Sequence, residues 1–178
     1  TGDTAQGVRV RAGGEMHVVQ STLRGGIAPL SIGLKVYGGR ATVSDSLVIG
    51  FPANTTLGLT SHAVGAETLT GEDGGSSTLH ALNSTFAGRA NTRDLNLLDG
   101  QCTGLWLQEA DEVVLAGSVA ASGHDSRCRD DFAIRTTTVV PTVHHSYALA
   151  GDDVGGSALV ELPTGTFDTN DGSSFGYR

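Results

Sequence analysis

The chain contains a passage that repeats without a gap at a shift of 25 residues. Gly13-Gly14-Glu15-Met16-His17-Val18-Val19-Gln20-Ser21-Thr22-Leu23-Arg24-Gly25 lies over Gly38-Gly39-Arg40-Ala41-Thr42-Val43-Ser44-Asp45-Ser46-Leu47-Val48-Ile49-Gly50. Paired glycines open the block, Val stands in the middle, Ser follows a polar residue, and Gly closes it. It returns as Leu79-His80-Ala81-Leu82-Asn83-Ser84-Thr85-Phe86-Ala87-Gly88, whose His, Ser, Thr and Gly match residues 16 to 25. A fixed period of this size marks stacked units, each too small to bury its apolar face without a neighbour.

Each period also carries a short apolar alternation. Val8 and Val10 flank Arg9, and Leu34 and Val36 flank Lys35. Leu105 and Leu107 flank Trp106, Phe132 and Ile134 flank Ala133, and Ala158 and Val160 flank Leu159. Period-two alternation is the mark of a strand with one buried face. With Leu59 opening a weaker third copy, the lead positions run 8, 34, 59, 105, 132 and 158. The long interval after 59 reads as two short turns, one of them holding the 79–88 block. The expected fold is all-β, a coil of about seven turns of ~25 residues each. Parallel pairing about 4.8 Å apart stacks them into a column roughly 30 Å tall. Residues 1–6 form a lead-in, 7–162 the coil, and 163–178 a tail or cap.

Val18, Val43, Leu105, Leu107, Val113, Phe132 and Ile134 are expected in the core, and the glycine pairs at the corners, where the chain turns tightly. An antiparallel sandwich does not explain an ungapped repeat. The six-residue apolar period of a left-handed hexapeptide coil is absent.

Units such as Gly33-Leu34-Lys35-Val36-Tyr37-Gly38-Gly39-Arg40-Ala41-Thr42-Val43-Ser44-Asp45-Ser46 resemble the right-handed parallel β-helix family, the pectate-lyase-like repeats. The likeness is to bacterial secreted and surface members such as autotransporter passenger domains, and it spans about residues 7 to 162. It implies a right-handed parallel β-helix. It implies no single activity, because the family includes polysaccharide lyases, glycoside hydrolases, phage tailspikes and autotransporter passenger domains.

A formal charge of −8 argues against nonspecific nucleic-acid binding, which needs a cationic surface. No stretch approaches the roughly 20 apolar residues of a membrane span. Cys102 and Cys128, the two cysteines, lie about one turn apart and are expected at nearly the same place on adjacent coils. Strands at that spacing can carry a disulfide; the alternative is two reduced thiols in one column. A bond implies an oxidising compartment, hence an extracellular or cell-surface location.

Residues between the buried pairs point outward and stack along one sheet. The first outward row is expected to hold Arg9, Lys35, Thr60, Trp106, Ala133 and Leu159; the next holds Arg11, Tyr37, His62, Gln108, Arg135 and Glu161. Arg9, Arg11, Lys35, Tyr37, His62 and Trp106 are the candidate ligand-binding residues. Rings stack on sugar faces and guanidinium groups donate to hydroxyls. The alternatives are an ordinary solvated face, or a slipped alignment that buries Trp106.

Histidine metal binding is not expected. His17 and His80 sit at equivalent repeat positions at least about 10 Å apart, whereas zinc holds its ligand nitrogens at about 2.0–2.1 Å. Asp168, Asn170 and Asp171 are reminiscent of a calcium loop, without its full pattern or its distant Glu. No cofactor is expected, calcium being the one candidate. Asn91-Thr92-Arg93-Asp94, Gly123-His124-Asp125 and Asp130-Asp131 look like fragments of polygalacturonase segments. An Arg interrupts the first, Gly-His precedes the Asp pair, and the basic segment is missing. Asp94, His124, Asp125, Asp130 and Asp131 are therefore weak catalytic candidates.

The expected function is a non-catalytic extracellular surface, adhesion or structural segment that contacts glycan. The alternative is a polysaccharide lyase or glycoside hydrolase, which needs acids converging in a groove. Partners are a polysaccharide or a cell-surface glycan. Residues 1–6 are too short to cap the first coil, so end-to-end stacking or a larger parent chain is also expected.

Overall fold

The computed structural model describes residues 4–26, 28–50, 62–88, 100–110, 112–122, 128–136, 142–151, 157–161 and 165–166. Every element among them is a strand. The first turn holds β1 (Thr4–Arg11), β2 (Glu15–Val19) and β3 (Thr22–Arg24). The second holds β4 (Leu30–Tyr37), β5 (Arg40–Ser44) and β6 (Leu47–Gly50); the third, β7 (His62–Leu69), β8 (Thr78–Leu82) and β9 (Thr85–Gly88). β10 (Gly100–Leu107), β11 (Glu112–Ala116) and β12 (Val119–Ser122) make the fourth. The fifth is β13 (Cys128–Thr136), β14 (Thr142–His144) and β15 (Tyr147–Gly151), and β16 (Ser157–Glu161) and β17 (Gly165–Thr166) follow.

Three sheets run up the column. The first has the order β1-β4-β7-β10-β13, the second β2-β5-β8-β11-β14-β17, and the third β3-β6-β9-β12-β15-β16. Among the described residues the pairing from β1 to β15 is parallel, so each of these strands lies beside its equivalent from the turn before. This is the solenoid that the repeat requires.

Two expectations about the winding change. The interval from 59 to 105, expected to hold two short turns, holds one set of three strands among the described residues, β7, β8 and β9, with β7 lying directly between β4 and β10. The segment Ala158–Val160 is not another parallel coil: β16 pairs antiparallel with β15, and β17 antiparallel with β14. Alternation identifies a strand with a buried face, but it carries no information about strand direction. The two antiparallel strands cover the last edges of the second and third sheets. At the other end, among the described residues, β1, β2 and β3 each pair on one side only.

The core is a set of apolar columns. Val8, Leu34, Ala66, Leu105 and Ile134 are register partners along the first sheet, and Val10, Val36, Thr68, Leu107 and Thr136 form the next column. Val18, Val43, Leu105, Leu107, Val113 and Ile134 are buried as expected, while the side chain of Phe132 lies outside the described residues. Fully burying a residue such as Leu107 contributes about 1.5–3 kcal/mol.

Between the second and third sheets the chain turns through a single left-handed residue in every coil: Gln20 (φ 46), Asp45 (φ 49), Asn83 (φ 46), Gly117 (φ 59) and His145 (φ 44). Asn, Asp and Gly tolerate this region best. Each is followed by serine. The Ser46 hydroxyl oxygen accepts from the Ser21 N–H at 3.0 Å, Ser84 from Ser46 at 3.2 Å, Ser118 from Ser84 at 3.2 Å, and Ser146 from Ser118 at 3.1 Å. Each hydroxyl also donates to the carbonyl two residues back within its own coil. The resulting file of serines satisfies backbone groups that the turn takes out of the sheets. Its spacings are 25, 38, 34 and 28 residues, so only the first interval is ungapped.

The glycine that closes each repeat has a different cause from the glycine that opens it. Gly38 takes φ 72 at the corner between the first and second sheets. Gly50 is needed for closeness: a Cβ there would lie 2.2 Å from the Val64 carbonyl oxygen.

Candidate functional site

Parallel register brings residues far apart in sequence into rows on the outer face of the first sheet. One row runs Arg9, Lys35, Glu67, Trp106 and Arg135 across β1, β4, β7, β10 and β13. Arg9, Lys35 and Trp106 thus fall together as the alternation predicts. Three places in the row differ. Glu67 stands where Thr60 was expected, and Thr60 itself lies outside the described residues. Arg135 takes the place assigned to Ala133, which is buried with 0% exposure. Leu159 belongs to β16, in the third sheet. Trp106 is half-buried and so needs no slipped alignment.

The polar groups of the row are matched to one another. The Lys35 Nζ lies 2.7 Å from Glu67 Oε2, and Gln108 Nε2 donates to Glu67 Oε1 at 2.6 Å. Glu67 is 3% exposed, and two donors offset the cost of removing its carboxylate from water. The guanidinium of Arg135 sits 5.0 Å from the centre of the Trp106 ring and donates to Gln101 Oε1 at 3.2 Å. The guanidinium of Arg9 lies over the Tyr37 ring at 4.6 Å, with Lys35 Nζ at 5.9 Å. Cation–π contact of this kind holds both rings and guanidinium planes against the sheet.

His62 is not beside Tyr37 as expected. It starts β7, opposite Leu30 and Gln101, toward the other end of the strands. There, burial and then the charge of Arg135 hold its imidazole below its ordinary value, against a hydrogen bond with Gln101 that raises it. Arg11 and Tyr37 are register partners, as predicted. Together with Arg9, Ala12, Glu72 and Asp73 they line a pocket of about 230 Å³. Glu67, Gln101 and the loop acids Glu72 and Asp73 were not singled out from sequence. Glu67 sits between Ala66 and Thr68, where the alternation is too weak to announce a strand.

Cys102 is buried and disulfide-bonded, and Cys128 is the chain's other cysteine. They are not register equivalents: Cys128 lies opposite Gly100 and Cys102 opposite Asp131, with a register shift between Gly100 and Gln101. Asp130 and Asp131 lie on β13 opposite Gln101 and Cys102, their side chains outside the described residues. Asp94, His124, Asp125, Asp168, Asn170 and Asp171 also lie outside them. His17 and His80 are two strands apart on the second sheet, with Thr42 between them. Among the described residues no group of three His, Cys, Asp or Glu is placed to hold a metal ion, and no helix is long and apolar enough to cross a membrane.

Comparison with known proteins yields no matching family model, no matching curated protein and no matching solved structure.

Proposed function

We propose that this chain is a non-catalytic, extracellular or cell-surface β-helix whose first sheet presents a glycan-binding face. The coil winds right-handed, the hand that parallel strand–crossover–strand connections take in nearly all proteins. The edges of β1, β2 and β3, which end their sheets among the described residues, are offered for stacking on further coils or another chain. One observation carries the glycan reading. Trp106 and Tyr37 lie on the same outer face, each with a guanidinium stacked against it, in a row of residues that can donate to or accept from hydroxyls. Aromatic walls combined with oriented polar groups are what sugar recognition needs.

The test is retention of the purified protein on a panel of immobilised neutral and acidic oligosaccharides. Wild-type protein is expected to bind a subset, and Trp106→Ala or Arg135→Gln to lose at least tenfold in affinity while keeping a cooperative melt. Equal binding by wild type and both variants, or binding to no glycan, overturns the reading. Release of unsaturated or reducing products from any oligosaccharide in the panel replaces it with the lyase or hydrolase alternative.

A further inference from the structure

The pocket at the β1 end of this face has walls of opposite charge that do not touch. Arg9 and Arg11 project from β1, and Tyr37 from β4 lies beneath the Arg9 guanidinium. Facing them is the Gly71–Gly75 turn, which brings Glu72 and Asp73 to the rim. That turn is held in place: Gly71 N–H donates to the Gly75 carbonyl at 2.8 Å, Gly74 N–H to the Gly71 carbonyl at 2.9 Å, and Gly75 N–H to Asp73 Oδ1 at 3.0 Å. No ion pair within 4.0 Å joins Arg9 or Arg11 to any described acid, including the two across the pocket. Lys35 is nearby, but its charge is matched by Glu67.

A simple anion drawn to Arg9 and Arg11 meets Glu72 and Asp73; a simple cation drawn to the acids meets the arginines. A ligand with both charges on one small unit satisfies both walls. Its carboxylate takes the forked donors of arginine, and its ammonium gives three donors to carboxylate oxygens. The volume of about 230 Å³ is below the range for drug-sized ligands, about 300–1,000 Å³, and suits a single sugar residue. We propose that this pocket takes an amino-sugar acid in its zwitterionic form, carboxylate against Arg9 and Arg11 and ammonium against Glu72 and Asp73. This names the sugar class for one end of the glycan-binding face, and it rests on that reading.

Three related sugars separate the charges: muramic acid carries both, N-acetylmuramic acid only the carboxylate, and glucosamine only the ammonium. Each is titrated into the isotopically labelled protein while the backbone amides of 9–14 and 71–75 are followed by NMR. Muramic acid is expected to bind at least fivefold tighter than either single-charge sugar. Arg11→Gln should weaken muramic and N-acetylmuramic acid alike, by about fivefold, the size of one exposed ion pair. Glu72→Gln combined with Asp73→Asn should weaken muramic acid by a similar factor and leave N-acetylmuramic acid unchanged or tighter. All three side chains are exposed, so the variants keep the fold. N-acetylmuramic acid binding as tightly as muramic acid overturns the proposal, as does binding insensitive to both variants. If none of the three sugars binds while an oligosaccharide still needs Trp106, the zwitterion fails and the glycan face stands. If no glycan of any kind binds, both fall.

Discussion

Lys35 and Glu67 are register partners on β4 and β7, and their charged atoms lie 2.7 Å apart on the outer face of the first sheet. Glu67 is the more deeply buried of the two, at 3% side-chain exposure against 15% for Lys35. Removing the carboxylate therefore leaves an ammonium largely out of water with no counter-charge. Glu67→Ala should cost about 1–3 kcal/mol, below the 3–5 kcal/mol of a fully buried pair because Lys35 keeps some solvent. Urea denaturation of Glu67→Ala beside a Lys35→Met/Glu67→Leu double variant checks this. The double variant should recover most of the loss.

The file of serines predicts a position-dependent cost. Ser84 sits mid-column, accepting from the Ser46 N–H and donating to the Leu82 carbonyl. Ser84→Ala strands a buried N–H, and should destabilise by about 1–3 kcal/mol. Ser21 is in the first coil and exposed, and among the described residues its hydroxyl donates to Val19 O and accepts from no backbone N–H. Ser21→Ala should change stability by no more than about 0.5 kcal/mol. Comparable losses at the two sites would contradict the idea that the column is held from inside.

Gly50→Ala should be severe, because the added methyl meets the Val64 backbone at 2.2 Å and no side-chain rotation relieves it. A loss of about 1–3 kcal/mol or more is expected. Gly74→Ala, with φ 75 but nothing within 4 Å, should cost only about 1–2 kcal/mol from the backbone strain. Thermal melts of the two variants give the comparison.

The His62 imidazole is held below its ordinary value chiefly by burial and also by Arg135. A histidine that protonates less readily in the fold than in the unfolded chain makes the unfolded state the better proton binder. Its contribution is complete above about pH 6.5, the unfolded value, and is lost as pH falls through its lower folded value. His62→Gln should therefore flatten the decline in melting temperature between pH 7 and pH 4.5. Parallel declines in variant and parent would refute the assignment.

Cys102 is disulfide-bonded, so thiol titration of the unfolded, unreduced protein should find no free sulfhydryl. Reduction should lower stability by about 2–4 kcal/mol. That loss is measurable as a shift in the urea midpoint with and without reductant.

Much of this protein was legible from residue spacing alone. The gapless alignment of residues 13–25 with 38–50 is the backbone register of β2 on β5 and β3 on β6, because parallel stacking places equivalent residues side by side. The alternation around Arg9, Lys35 and Trp106 placed these three in one outward row, since a strand has only two faces. It put Ala133 and Leu159 there too, where Ala133 is buried and Leu159 belongs to the third sheet. What spacing could not supply was the number of residues spent between strands. Ser84 follows Ser46 by 38 residues and Ser118 follows Ser84 by 34, so a constant period drifts out of phase with the strands.

The partnerships on the outer face were decided by tertiary structure alone. Glu67 has an unremarkable sequence neighbourhood, and it becomes the centre of a network because β7 lies between Lys35 on β4 and Trp106 on β10. Likewise Arg9 and Arg11 face Glu72 and Asp73 only because a short turn after β7 reaches across the end of the sheet. The direction of β16 also lay beyond the pattern, since an apolar alternation reads the same along either chain direction. Local sequence therefore determined the repeating unit and which face of each strand is buried. Stacking determined which side chains meet, because those contacts depend on the length of every connection between them.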